Sequence, residues 1–172
     1  WALSVIAAVA RIMVVRQDTR PVDKPEPAPQ VATFTTQAGQ RAKVTLSDGS
    51  QVLMAPRSTM RITDGRTVEL TGEAYFDIVH HATQAFVVHT GTVTTRVLGT
   101  TFNVRHYAED EAVRVAVASG KVMVGGSVSA AGRRPASVTL VAWDIGRVTD
   151  STATAKTVGA VSDYTDWMFG RT

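Results

Sequence analysis

The chain of 172 residues contains no cysteine. Disulfides, thiolate metal sites and thiol catalysis are therefore excluded. The absence suits a cytosolic protein and equally an exported bacterial protein that needs no disulfide. Aromatic residues make up only 6% of the sequence, so Val, Ala, Leu and Thr must do most of the packing. Lys and Arg form no stripe beyond the isolated Arg133-Arg134 pair beside Pro135, and the formal net charge is only +3. A nucleic-acid partner is not expected from so weak an imbalance. Beyond residue 36 no apolar stripe recurs at helical spacing over several turns, and no tandem repeat of fixed period is found. What remains is a chain that is 44% hydrophobic and 19% charged, apolar enough to bury a core and long enough for one domain with an appended segment.

Residues 1–15 read WALSVIAAVARIMVV and are apolar apart from Ser4 and Arg11. A helix rises about 1.5 Å per residue, so this stretch is shorter than a hydrocarbon core of about 30 Å. Because the chain opens on Trp1, the expectation is a truncated membrane span, with Trp1 as an interface aromatic and Arg16 as the first flanking charge. Arg11 weighs against a central position, since a charge at mid-membrane costs about 2.5–3.5 kcal/mol unless it snorkels. A signal-peptide core with Ala8-Val9-Ala10 as its cleavage site, an amphipathic anchor and a buried helix stay open. Residues 16–36 form the expected linker. In it Pro21, Pro25, Pro27 and Pro29 alternate with charged and small residues, which excludes a helix interior or a central strand.

Residues 37–150 carry β grammar. In residues 68–78, Val68, Leu70, Ala74, Phe76 and Ile78 share one parity while Glu69, Thr71, Glu73 and Asp77 share the other, the period-two pattern of a strand with one face in a core. Ala42, Val44 and Leu46 alternate into Asp48-Gly49-Ser50, and Met60 and Ile62 into Asp64-Gly65, both turn signals. In residues 93–105 the apolar parity changes around Leu98-Gly99, which predicts a bulge or bend within a strand. Val113, Val115 and Val117 alternate up to Ser119-Gly120, and Val122 and Val124 continue beyond it. Residues 138–145 and 147–149 are expected as late strands, and residues 151–172 as a C-terminal extension. The expected fold is all-β: a jelly-roll-like double-sheet sandwich preceded by an N-terminal apolar helix, with a solenoid-like β stack as the competing architecture.

Taken in order and spacing, these segments closely resemble the FecR family, over roughly residues 37–167. The family's hallmark pieces fall at Asp48-Gly49-Ser50, at Gly72-Glu73-Ala74 with Phe76, at Leu98-Gly99-Thr100 with Phe102, and at Gly120 with Val122. A closing Trp-x-x-Gly falls at Trp167 and Gly170. The resemblance implies a transmembrane regulator of an extracytoplasmic-function sigma factor. It would sit in the inner membrane with a single pass and hold its β domain in the periplasm. Its implied partners are the periplasmic signalling domain of a TonB-dependent iron-chelate receptor, the membrane through residues 1–15, and the sigma factor through a cytoplasmic segment that this sequence lacks. Many relatives continue past Trp-x-x-Gly into a small α/β domain, so a receptor-docking surface placed there would also be missing. No cofactor, metal or catalytic residue is implied.

The same residues also have roles that follow from physical chemistry. Gly49 supplies the backbone freedom of a tight turn. Gly72, on the apolar parity, is placed to admit a neighbouring chain closely. Phe76 and Phe102 are core anchors. Glu73, on the polar parity, is expected to be solvated or turn-bonded rather than a direct partner contact.

Other chemistry finds little support. His80-His81, His89 and His106 lack convergent spacing, because adjacent strand residues point to opposite faces. Ser119-Gly120-Lys121 lacks the upstream glycine and following helix of a phosphate loop. No Gly-x-Ser-x-Gly elbow occurs. Glu109-Asp110-Glu111 is expected as a solvated loop. Two further functions are weighed. One is carbohydrate or cell-wall polymer binding on a platform of Trp143, Tyr164 and Trp167. The other is a cupin-like enzyme with three converging histidines.

Overall fold

The alternating segments become thirteen β-strands in a computed structural model, which describes residues 31–126, 136–149 and 151–158. They are β1 (Ala32–Thr35), β2 (Ala42–Thr45), β3 (Gln51–Met54), β4 (Thr59–Asp64), β5 (Thr67–Asp77), β6 (Phe86–Thr90) and β7 (Val93–Val97). There follow β8 (Thr101–His106), β9 (Val113–Ser119), β10 (Lys121–Gly126), β11 (Ser137–Val141), β12 (Asp144–Val148) and β13 (Ala153–Thr157). No helix occurs among the described residues, and so none there is long and apolar enough to cross a membrane. The expected N-terminal helix, and residues 1–30 as a whole, lie outside them.

Two facing layers result. Sheet I runs β1–β4–β5–β6–β7–β10–β11, and sheet II runs β2–β3–β5–β8–β9–β12–β13. The long β5 belongs to both. Its first half pairs with β4 and β6, and its second half with β3 and β8. Every pairing is antiparallel except β5 with β6. From β6 onward the chain lays hairpins down alternately: β6–β7 in sheet I, β8–β9 in sheet II, β10–β11 in sheet I, β12–β13 in sheet II. Strand order within each sheet therefore follows chain order. The expected double sheet is present, but its connectivity is that of the competing β stack and not the paired Greek keys of a jelly roll.

Two expected strands are each divided. Residues 93–105 are not one bent strand but β7 and β8, in different sheets, with Leu98-Gly99-Thr100 as the passage between them. Residues 138–145 likewise split at Ala142-Trp143 into β11 and β12. A phase change in the apolar pattern here marks a change of layer, because each sheet needs its own inward parity. Strand β1 lies inside the stretch expected as linker, and β13 inside the expected extension.

The core sits between the layers. The row Phe86, Val97, Val122 and Leu140 crosses sheet I in register, and all four are buried. Facing it in sheet II, Phe76 and Phe102 pair across β5 and β8 with ring centroids 5.1 Å apart, and Phe86 reaches Phe76 from sheet I at 6.1 Å. Each fully buried Phe contributes about 2–3 kcal/mol of apolar transfer. This trio holds the layers together in a domain poor in aromatics.

Candidate functional site

Most of the marked residues gather where the chain turns or passes between sheets. At the β2–β3 turn, Asp48 Oδ1 accepts the Ser50 N–H at 2.9 Å, and Gly49 takes φ +85°, a backbone region that favours glycine. The Asp48 carboxylate also pairs with the guanidinium of Arg66, which is buried, lies over the Phe86 ring at 5.8 Å and donates to the Val79 carbonyl at 3.4 Å. Ser50 is buried, and its hydroxyl accepts the Val79 N–H at 3.0 Å. The turn thus ties the β2–β3 hairpin to the end of β5. Arg66 had a signal only in its neighbours Asp64-Gly65, and nothing in its own parity announced a buried cation.

Gly72 is the pivot at which β5 leaves sheet I for sheet II. It takes φ +99°, and a Cβ there would stand 2.5 Å from Ser58 Oγ and 2.8 Å from Ser58 Cα. The close neighbour expected from its parity is therefore the β3–β4 passage. Ser58 uses that proximity: its hydroxyl accepts the Glu73 N–H at 2.9 Å and donates to the Pro56 carbonyl at 3.2 Å. Thr36 closes the other side, donating to the Ala55 carbonyl at 2.6 Å and accepting the Ser58 N–H at 2.9 Å.

Glu73 departs from expectation. Its side chain does point away from the core, as its parity required, but it is 6% exposed rather than solvated. Asn103 Nδ2 donates to Oε1 at 2.8 Å, and Arg105 donates to Oε2 at 3.3 Å. Arg105 also faces Asp110 at 3.2 Å and lies over the Tyr107 ring at 4.7 Å. Tyr107 donates its hydroxyl to the Pro56 carbonyl at 2.9 Å. Polar side chains therefore cover this part of the outer face of sheet II, and that cover is what parity could not foretell. Asp110, expected in a solvated acidic loop, is half-buried, with its side chain turned in toward Arg105 and Arg114. It accepts the Tyr107 N–H at 2.9 Å and approaches Arg114 at 3.4 Å. Burial alone would push its carboxyl up, but the Tyr107 N–H and the Arg105 and Arg114 charges outweigh that and hold it below the usual 3.8. For Arg105 burial works against the charge, yet Asp110 and Glu73 overcome it and hold the guanidinium proton more firmly than usual. Tyr107 is pushed up, chiefly by burial.

A third group lines one corner of the stack. Leu98-Gly99-Thr100, Gly120 and Trp143 are successive passages between the sheets. A Cβ on Gly99 would meet His80 Cα at 2.5 Å, and one on Gly120, which takes φ +84°, would meet Thr100 Oγ1 at 2.8 Å. Thr100 is buried and donates to the Lys121 carbonyl at 3.0 Å, while its own carbonyl accepts the Ile78 N–H at 3.1 Å. The Leu98 carbonyl accepts the His81 N–H at 2.7 Å. Ala74, Phe76 and Phe102 are buried as core residues. Trp167 and Gly170 lie outside the described residues.

The four histidines are dispersed: His81 accepts the Gln84 N–H at 3.2 Å, His89 meets Thr94 Oγ1 at 3.1 Å, His80 packs on Gly99, and His106 lies near Gly91. No group of three His, Asp or Glu is placed to hold a metal ion among the described residues. Trp143 is exposed and without an aromatic neighbour among them, while Tyr164 and Trp167 lie outside.

The fold and these passages define an all-β domain of two layers whose marked residues brace turns and crossings. The FecR protein family model matches residues 32–123, more than half of the chain, and the chain belongs to the FecR family. Among solved structures it is similar to a candidate anti-sigma factor from Parabacteroides distasonis ATCC 8503. One crystal structure, at 2.50 Å, is 30% identical with a TM-score of 0.71, over 82% of this chain and 66% of that one. Another, at 1.65 Å, is 31% identical with a TM-score of 0.70, over 81% and 65%. The chain thus spans just under two thirds of those proteins' length. No curated protein matches it.

Proposed function

We propose that this chain is the signal-receiving part of a FecR-like transmembrane regulator of an extracytoplasmic-function sigma factor. Its β domain lies in the periplasm, residues 1–15 belong to the single inner-membrane span, and the proline-rich stretch is the spacer between them. An outer-membrane TonB-dependent receptor loaded with an iron chelate signals through its periplasmic domain. The β stack receives that signal and biases the regulator between two states, so the receptor must bind one state better than the other. The work is binding, with no bond made or broken. The observation that carries the reading is the family match together with the anti-sigma likeness of the solved structures.

The test is a sigma-dependent reporter in cells carrying the complete regulator with this domain. Deleting residues 37–150 should uncouple the reporter from the iron chelate while leaving the span in place. A reporter that still follows the chelate would overturn the reading. Purified receptor signalling domain should also be retained by the immobilised chain.

A further inference from the structure

We infer that the outer face of sheet I, from the Leu98 corner across β7, β10 and β11, is a docking groove for a protein segment that presents acidic side chains around one large apolar anchor. This deepens the receptor-relay reading and rests on it for the partner's role, but the groove itself stands on three observations. The first is shape: a depression of about 710 Å³ is lined by His80, Arg96, Leu98, Lys121, Met123 and Thr139, among others. Leu98 is 46% and Met123 56% exposed, two of the six large apolar side chains that stand exposed among the described residues. Met adapts its shape to an entering group.

The second is charge. Arg96 and Lys121 border Leu98 and Met123, and neither has an ion-pair partner among the described residues. The third is the sequence around them. From Ile78 to Ala108, and again from Ala112 to Trp143, the chain carries no Asp or Glu. The acids between these stretches, Glu109 to Glu111, lie on the β8–β9 loop, at the opposite end of β8 from the groove's Leu98 corner. The groove is therefore an apolar floor with a cationic border and no anion among the described residues that line it, complementary to an acidic segment. An anionic membrane surface fits less well. Lipid-binding patches gather about four to eight Lys or Arg, and a concave floor suits a side-chain anchor better than a plane of headgroups.

The test uses the full chain, isotope-labelled, and a synthetic ten-residue peptide alternating Asp with Leu and Phe. Its counterpart carries Asn for each Asp. Vesicles with and without anionic lipid form a second arm. The acidic peptide should bind and shift the amide signals of Arg96, Leu98, Lys121 and Met123. Binding should weaken by about tenfold in R96E/K121E, and also as salt screens the charges. Both positions are exposed, so this variant should melt with the wild type. Equal binding of the Asn peptide, signal changes confined to other faces, or binding of anionic vesicles but not of peptide would each overturn the proposal. The receptor's signalling domain separates it from the relay reading. Equal capture by wild type and R96E/K121E sinks the groove and leaves the relay standing. Capture by neither, with the acidic peptide still seated in the groove, sinks the relay and leaves the groove.

Discussion

The outer faces of the two sheets are built on opposite plans. On sheet II, around Glu73, each charge meets an opposite one: Glu73 with Arg105, and Asp110 with Arg105 and Arg114. Tyr107 and the Pro56 carbonyl cover the cluster. On sheet I, around Met123, two cations have no ion-pair partner among the described residues and two large apolar side chains stand about half exposed. Buried polar groups are costly unless paired, and a paired network specifies one arrangement. An exposed apolar depression is costly only in solvation, and another molecule can relieve it. The first plan suits the joint that fixes how β5 changes sheets. The second suits a surface meant to be covered.

The comparison breaks most decisively at Gly72. Replacement by Val adds a Cβ within 3 Å of Ser58 backbone and side chain at a positive φ, so two penalties combine. We expect a loss of about 4 kcal/mol or failure to fold, read by urea denaturation. Gly125, on the sheet I face, is the control. A Cβ there would meet Ser137 Cβ at 3.2 Å with no positive φ, and G125A should cost well under that. Next in size is Glu73→Ala. It leaves Asn103 Nδ2 without its acceptor and Arg105 with Asp110 alone. Arg105 keeps some access to water, so the loss should be about 2–3 kcal/mol. R96E/K121E on the other sheet should change stability by less than about 0.5 kcal/mol. Equal losses on the two faces would erase the distinction between joint and surface.

Much of the architecture could be read from the residues before any coordinates, and what could not be read has physical causes. Parity placed Val68, Leu70, Ala74, Phe76 and Phe102 inward correctly, because inward residues must be apolar whichever sheet they serve. The same parity places Glu73 outward, also correctly, but an outward side chain need not be wet. The Tyr107 and Pro56 cover comes from segments far along the chain, so no local pattern carries it. The phase change at Leu98-Gly99 was visible as an irregularity. That it joins two sheets required the partners of β7 and β8, which are long-range facts. Trp143 and Arg57 take φ of 73° and 55°, unusual for residues other than glycine. Nothing local predicts them, since the tertiary structure imposes those turns. The groove left a trace in the missing acids between Ile78 and Ala108, but an absence has no parity and becomes a surface only when β7, β10 and β11 lie side by side.

Smaller effects sharpen the contrast. Thr95 points into the core, opposite Val88 and Val124 in neighbouring strands, and its hydroxyl has no hydrogen-bond partner among the described residues. Thr95→Val replaces that hydroxyl by a methyl and should stabilise the domain by about 1 kcal/mol, seen as a higher urea midpoint with unchanged slope. A core that was merely tolerant on the sheet I side would show no gain.

The smallest expected effect is the dependence on acid, and its sign follows from Asp110. Its carboxyl is held below the ordinary 3.8 in the folded protein, so the unfolded chain takes up its proton first as pH falls. The stabilisation from its Tyr107, Arg105 and Arg114 contacts is present in full above the unfolded value. It disappears as pH falls from there through the lower folded value. Asp110→Asn keeps the shape but not the charge. The variant should be less stable than wild type at neutral pH, and the gap should close below about pH 4. The groove variant R96E/K121E should instead run parallel to wild type over the neutral range. A gap for Asp110→Asn that stays constant into acid would mean that the Asp110 charge does not do the holding, and the Glu73 cluster would then not be an ionic joint.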